Sequence, residues 1–175
     1  LYNLSFLQLL QGNYDEGWKN YENRWLRENA PLRSFDHIEP LVNLDNIQGK
    51  NILVWSEQGL GDSIQFSRFI PHMARMGAQV SLATQPQLID ILSTVEGIQE
   101  VLPQHEKVSR TFDAQVPLMS LPLLFHNAKQ RFPSTYPYIR SNRFKANLWQ
   151  KRLQDIKELK VGLVWSGGFR PEQPE

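Results

Sequence analysis

One stretch, residues 51–66, constrains the fold of this chain more than any other. It opens with a short apolar run that contains β-branched and aromatic residues, which is typical of a buried strand. Gly59 and Gly61 follow and permit a tight turn or the close approach of a ligand. Apolar residues then recur at helical spacing from Asp62, the candidate N-cap, to Gly77, which is placed to end the helix. The stretch therefore predicts a strand, a glycine turn and a helix.

This turn is where we expect chemistry. In open α/β sheets, ligands bind in the crevice outside the carboxyl ends of the strands. The predicted ligand contacts of this unit are Glu57, Gln58, Gly59, Gly61 and Gln65. Two alternatives stay open: Glu57 is also consistent with a solvated loop acid, and the glycines with purely backbone roles.

Later segments repeat the same alternation. Strands are predicted at residues 78–84, 101–102 and 112–116, with a short helix at 86–92 that begins at a proline. Strands that alternate with helices are typical of parallel sheets. The sequence thus predicts an α/β fold with a Rossmann-like parallel sheet.

Two more turns are expected at the same sheet edge. Ser120 follows the fourth strand and can cap a helical turn, and a further strand at residues 160–165 leads into Ser166 and Gly167. These three residues are further predicted ligand contacts. We expect their segments to lie along one edge of the sheet with Asp62.

The N-terminal residues 1–26 predict two amphipathic helices around a glycine turn. They resemble one tetratricopeptide repeat (TPR), because five residues fall at that repeat's intervals: Leu4, Gly12, Tyr14, Gly17 and Tyr21. Arg24, however, stands where the repeat has a small residue, and Pro31 comes late for its closing proline. The alternative is an ordinary helical hairpin that packs on the next domain.

Composition excludes several function classes. The 19 basic and 18 acidic residues leave no basic surplus for nucleic acid, and the absence of cysteine excludes disulfides and thiol catalysis. The histidines have no metal-ligand spacing, and no apolar run is long enough to span a membrane. We expect a cytoplasmic protein without a metal or a nucleic-acid partner. Its ends, at Leu1 and just after a glycine pair, suggest a piece of a longer polypeptide.

Four motifs occur in order along the chain, at residues 57–66, 117–122, 136–138 and 161–167. Together they resemble the glycosyltransferase-like region that follows tetratricopeptide repeats in many bacterial proteins. That region is similar to heptosyltransferases, enzymes of the two-Rossmann-domain GT-B fold. The resemblance implies four parts: a helical hairpin (1–30), a linker (31–47), the acceptor-side Rossmann domain (48–157) and the first strand of a truncated donor-binding domain (158–175).

The resemblance also implies a reaction. A nucleotide sugar would be the co-substrate, with no cofactor, and a glycan, lipid or protein hydroxyl would accept the sugar; the TPR-like helices could bind a protein partner. Asp62 falls on the aspartate that is proposed as general base in heptosyltransferases. Sugar transfer to a hydroxyl does need a base near the attacking oxygen. Asp62 could instead only cap its helix, in which case Glu57 is the next candidate.

Two other classes of function remain open. The first is a non-catalytic scaffold, in which the repeat presents partners and the Rossmann-like domain is structural. The second is a free-standing nucleotide-binding domain. It is disfavoured because the turn lacks the G-x-G-x-x-G spacing and no acid follows the second strand.

Overall fold

The structure is a computed structural model that describes residues 1–28, 30, 35–104, 110–130, 132–134 and 137–163. It divides into two compact units, Leu1–Asn142 and Arg143–Glu175, and each is described by itself. The domain boundaries expected from the sequence differ from this division and stay predictions.

The first unit contains six α-helices and four strands among its described residues, joined in places by 3₁₀ turns. The helices are α1 (Tyr2–Leu10), α2 (Tyr14–Tyr21), α3 (Leu60–Phe66), α4 (Ile70–Arg75), α5 (Ile89–Leu92) and α6 (Leu121–Asn127). The strands are β1 (Asn51–Trp55), β2 (Gln79–Thr84), β3 (Ile98–Pro103) and β4 (Ala114–Pro117). The 3₁₀ turns are Glu22–Leu26, Ser67–Phe69, Pro86–Leu88 and Leu118–Ser120.

All four strands are parallel, in the order β3-β2-β1-β4, which confirms the predicted α/β fold with a Rossmann-like sheet. Parallel strands share one carboxyl edge. The chain order reverses between β1 and β4, because β2 and β3 lie on one side of β1 and β4 lies on the other. This reversal is a topological switch point, where open α/β sheets place their ligands.

Both faces of β1 are buried. Ile52 and Val54 point into the main core, which the helices of this unit cover, and Leu53 and Trp55 point into a smaller cluster with Phe35. A strand that is apolar on both faces is typical of a parallel sheet covered on both sides. The continuous apolar run in the sequence is therefore explained by the position of β1 inside the sheet.

Polar bonds at the two ends of β1 connect it to the segment of β4. The backbone N–H of Asn51 donates to the Asp113 carboxylate at 2.7 Å, and the Trp55 indole N–H donates to the Gln115 side-chain oxygen at 2.5 Å. The second bond is buried, so it satisfies an indole donor and an amide oxygen that water does not reach. The second bond runs diagonally between the strands, because Gln115 is the register partner of Leu53 and Pro117 is that of Trp55.

The predicted helical hairpin is confirmed as α1 and α2, which pack closely. A Cβ atom added to Gly17 would lie 2.7 Å from Cδ2 and 3.2 Å from the backbone nitrogen of Leu9, so Leu9 would have to move to admit a larger residue. The Asn20 side chain donates to the Gln8 side chain across the two helices at 2.8 Å. Trp18 makes an edge-on contact with Phe66 of α3, which brings the hairpin onto the helical layer of the same unit.

The predicted helix from Asp62 to Gly77 is partly wrong in detail. Gly59 occupies the N-cap of α3 and Asp62 is the third residue, so Asp62 is not the N-cap. The segment is also divided by a 3₁₀ turn into α3 and α4, and it ends as expected before Gly77, whose φ of +92° favours glycine. Similarly, Ser120 stands at the N-cap of α6, but its side chain makes no capping hydrogen bond.

The second unit contains α7 (Arg143–Leu153), which has no buried residue. The strand predicted at residues 160–165 is not formed in its described part, 160–163, because an isolated strand has no ladder to join. Ser166 and Gly167, two predicted ligand contacts, lie outside the described residues.

Gly17→Ala should destabilise the protein. Its new methyl group would overlap Leu9 and force the hairpin helices apart, so we expect the free energy of unfolding to fall by about 1–3 kcal/mol despite alanine's better helix propensity. Gly61→Ala is the matched control, because no atom lies within 4 Å of its added Cβ and alanine should gain up to about 1 kcal/mol there. Urea denaturation of both variants checks this; equal stabilities would contradict it.

Candidate functional site at the carboxyl edge of the sheet

The structure brings three of the predicted segments together at the switch point. Glu57 follows β1, and its carboxylate accepts a hydrogen bond from the Met119 backbone N–H, at 3.2 Å, in the turn after β4. Helix α3, which carries Asp62, contacts the Leu118–Ser120 turn. The expectation that the Asp62 and Ser120 segments lie at one sheet edge is thus confirmed.

An arginine from the hairpin occupies this crevice. Arg24 lies in the 3₁₀ turn after α2, and its side chain is 1% exposed. Its guanidinium donates to Glu57 at 3.0 Å and to the Ser120 hydroxyl at 2.6 Å, while its other terminal nitrogen donates to Glu22 at 2.5 Å. The sequence reading of Glu57 as a solvated loop acid is therefore wrong, because its side chain is 0% exposed.

Burial raises the pKa of Glu57 to about 7, against the opposing effects of Arg24 and of the Met119 N–H. Glu22 contributes in the same direction as burial, since it is a second carboxylate on the same guanidinium. One cation thus faces two acids. The Glu57 Oε2 atom and the Arg24 Nε atom have no hydrogen-bond partner in the part of the chain that the structure describes.

Asp62 has a different environment. One carboxylate oxygen accepts a hydrogen bond from the Gly59 N–H at 3.1 Å, which fixes the side chain against the start of α3. The residue is half-buried, and its second oxygen has no hydrogen bond to any residue from the described ranges. The pKa of Tyr21 is raised, first by burial and then by Tyr2, with smaller contributions from Glu57 and Asp62. Both carboxylates therefore lie near this one ring.

The remaining predicted contacts flank Asp62 in sequence and are at least partly exposed. Gly59, Gly61 and Gln65 are exposed, and Gln58 is half-buried. Neither glycine of the turn has a positive φ, so the turn does not need the left-handed conformation that favours glycine. The space around Gly61 is open, which leaves the start of α3 accessible.

Sequence reasoning missed the polar residues that hold this turn. Gln85, which follows β2, donates to the Gln58 carbonyl at 2.6 Å, and Gln104, which follows β3, donates to the Ser56 carbonyl at 2.6 Å. The Ser56 hydroxyl also bonds to Thr84 at 3.0 Å. A polar residue directly after each of β1, β2 and β3 was the available signal, since such residues meet at one edge of a parallel sheet.

Two cavities adjoin the hairpin. One, of about 200 Å³, lies on the β4 side and includes Glu22, Trp25 and Ser120 in its lining. The other, of about 270 Å³, is an aromatic cleft between the hairpin and α3 that includes Trp18, Phe66 and Phe132.

No group of three His, Asp or Glu side chains that could hold a metal ion occurs among the residues described above. Across those same ranges, no helix has the length and apolar composition that crossing a membrane requires.

The chain is similar to Protein FlbA of Caulobacter vibrioides. The two are 24% identical over 177 residues, a match that covers 90% of this chain and 29% of FlbA. The chain thus spans less than a third of that relative's length, and at this identity the similarity assigns no activity. No protein-family model matches the chain, and no solved structure matches it.

The buried Glu57 should make stability depend on pH. In the folded state the pKa of the Glu57 carboxyl is about 7, whereas in the unfolded chain it is 4.5. Protonation of Glu57 therefore contributes fully to the free energy of unfolding below pH 4.5. This contribution, on the order of 3 kcal/mol, is lost as the pH rises through 7. Urea denaturation at pH 5 and pH 8 should show this loss in the wild type and not in Glu57→Gln.

Glu16→Gln is the control for this comparison, because Glu16 is a surface acid whose side chain is 54% exposed. It should keep the wild-type pH dependence. A loss of stability between pH 5 and pH 8 that is the same in Glu57→Gln as in the wild type would contradict the prediction.

Proposed function

We propose that this chain is the acceptor-side half of a nucleotide-sugar-dependent glycosyltransferase, with Asp62 as the general base that activates an acceptor hydroxyl. The observation that carries the proposal is the position of Asp62. It is a partly exposed carboxylate beside the switch point of an all-parallel sheet, and one of its oxygens has no hydrogen bond to the residues that the structure describes.

The geometry around Asp62 suits a base. The Gly59 N–H holds one oxygen, so the other keeps a fixed direction in which it can accept a proton. A base must come within hydrogen-bond reach of the attacking hydroxyl. The exposed backbone at Gly59 and Gly61 leaves room for an acceptor to come this close.

The donor must be held elsewhere. A leaving nucleotide diphosphate needs cations or amide donors near its phosphates. The loops after β1, β2 and β4 (residues 56–59, 85–88 and 118–120) contain no lysine or arginine, and Arg24 is already shared by two carboxylates. On the resemblance to GT-B enzymes we assign donor binding to residues beyond 157, and the lack of cations in these three loops supports that assignment. The acceptor remains a glycan, a lipid or a protein.

The alternative is a non-catalytic module in which the Rossmann-like domain supports the TPR-like hairpin. One observation favours it: the crevice at the switch point is occupied by Arg24, bound to Glu57 and Ser120, instead of being open to a ligand. In this case Asp62 serves only to anchor α3.

Two substitutions of Asp62 separate these functions in the protein extended through its second domain. Asp62→Asn keeps an oxygen that can accept from Gly59 but removes the proton acceptor, so sugar transfer should fall by roughly 10²–10⁴-fold while stability changes little. Asp62→Ala should lower both transfer and the melting temperature. Turnover of a panel of nucleotide sugars and thermal unfolding are the measurements.

Asp45→Asn is the control, since Asp45 is an exposed aspartate away from the sheet edge. It should match the wild type in both measurements. Near-normal transfer by Asp62→Asn would show that Asp62 is not the general base. If the extended wild type transfers no sugar from any donor, the result favours the non-catalytic scaffold.

The 175-residue chain alone should show no sugar transfer. The groups that stabilise the leaving diphosphate are assigned to the second domain, and positioning together with charge stabilisation supplies most of the rate. Turnover by the purified chain, with a contaminating enzyme excluded, would overturn this assignment.

A further inference from the structure

The buried cluster of Arg24, Glu22, Glu57 and Ser120 connects three parts of the chain that are distant in sequence. Arg24 and Glu57 are 33 residues apart, and Arg24 and Ser120 are 96 apart. The Ser120 hydroxyl donates back to the Glu22 carboxylate at 3.0 Å, which closes the network. The hairpin thus makes direct bonds to both loops of the switch point.

The hairpin also fixes the orientation of the guanidinium. The Arg24 Cζ atom lies 4.6 Å from the ring centre of Trp25 and 4.9 Å from that of Tyr21. Two rings at this distance favour a cation between them and restrict its rotation. A planar guanidinium with several donors can bond to Glu22, Glu57 and Ser120 at once, which a lysine ammonium cannot reproduce in the same geometry.

We infer that Arg24 is a positioning residue of the site: it holds the loop after β1 through Glu57 and the turn after β4 through Ser120, so that the geometry of the crevice depends on the docked hairpin. The hairpin is then part of the site and not a separate recognition module. The inference rests on the proposed function only where catalysis is measured.

Stability alone gives little reason for this arrangement. Replacing a buried ion pair by well-packed apolar side chains is often neutral or stabilising. Apolar contacts such as that of Trp18 with Phe66 already dock the hairpin. The charged cluster adds a fixed position for the two loops, because each of its directional hydrogen bonds requires the partner loop to lie in one place.

The charges around Glu57 make the inference testable. Arg24 and Glu22 face it from the 3₁₀ turn, Tyr21 from α2, and Asp62 lies on α3 near the same ring. Arg24 lowers the pKa of Glu57, and Glu22 raises it. Substitution of Arg24 should therefore raise the titration midpoint of Glu57, and substitution of Glu22 should lower it.

The experiment is a pH titration of the 175-residue chain by two-dimensional NMR. The amide of Met119 is the reporter, because it donates to the Glu57 carboxylate. In the wild type its signal should shift with a midpoint near pH 7, and in Glu57→Gln this step should vanish. Arg24→Met should raise the midpoint by about 1–3 pH units, and Glu22→Gln should lower it.

Two further variants complete the set. Arg27→Met is the matched control, an exposed arginine one residue past the same 3₁₀ turn, and it should leave the midpoint unchanged. Arg24→Lys keeps the charge but not the three-way bonding. It should keep the midpoint nearer to that of the wild type than Arg24→Met does, while the Met119 amide exchanges faster with solvent.

If Arg24→Met does not fold, Glu22→Gln and Arg24→Lys still carry the test. A Met119 titration that is unchanged by Glu22→Gln, with amide exchange unchanged by Arg24→Lys, would overturn the inference. In the extended protein, Arg24→Lys should lower kcat at least tenfold with Arg27→Met unaffected. Normal kcat in Arg24→Lys would also overturn the inference, whereas no transfer by any variant would count against the proposed function alone.

Discussion

The interaction on which the rest of this structure depends is the burial of the Arg24 guanidinium at the end of the sheet. A charge without water must be surrounded by acceptors, because an unpaired buried ion costs several kcal/mol. Here those acceptors come from the arginine's own turn, from the loop after β1 and from the turn after β4. The need to neutralise this charge therefore fixes how the docked hairpin meets the two loops at the sheet edge.

This interaction divides the edge of the sheet into two regions. At the centre, the Arg24 and Glu57 side chains are buried, while Glu22 and Ser120 also line the cavity on the β4 side. Around the start of α3, Asp62 and the exposed glycines remain accessible. The open region lies where the peptide amides of a helix begin, and the buried pair provides the rigid support for it. A site that binds a ligand on one side of a fixed polar centre is consistent with either an enzyme or a binding module.

Much of the fold could be predicted from the sequence because its signals are local. The apolar run of β1, the helical spacing of the hairpin and the proline before α5 each depend on neighbouring residues. The N-cap was misplaced at Asp62 because an acidic residue is favourable both at the N-cap and in the first turn, where it accepts from the same backbone region. Local preference does not distinguish these positions.

The centre of the site could not be predicted for a different reason. The bonds of Arg24 join residues 33 and 96 positions apart, and no periodicity reports such pairs. One signal was present: an arginine on the apolar side of the hairpin, between Tyr21 and Trp25, where a TPR-like pattern has a small residue. A cation in an apolar stripe needs a buried acid, and Glu57 follows the most apolar strand of the chain.

The two apolar faces of β1 have a consequence for how the sheet finds its pairing. In a strand with one buried face, a slip by one residue would expose the apolar side chains and so be rejected. In β1 the same slip would exchange one buried apolar set for another, at little cost in burial. Correct alignment must then be selected by the polar contacts at its ends, Asn51 with Asp113 and Trp55 with Gln115. A misaligned strand would leave the indole donor and the amide oxygen buried without partners, which makes the native alignment the more stable one.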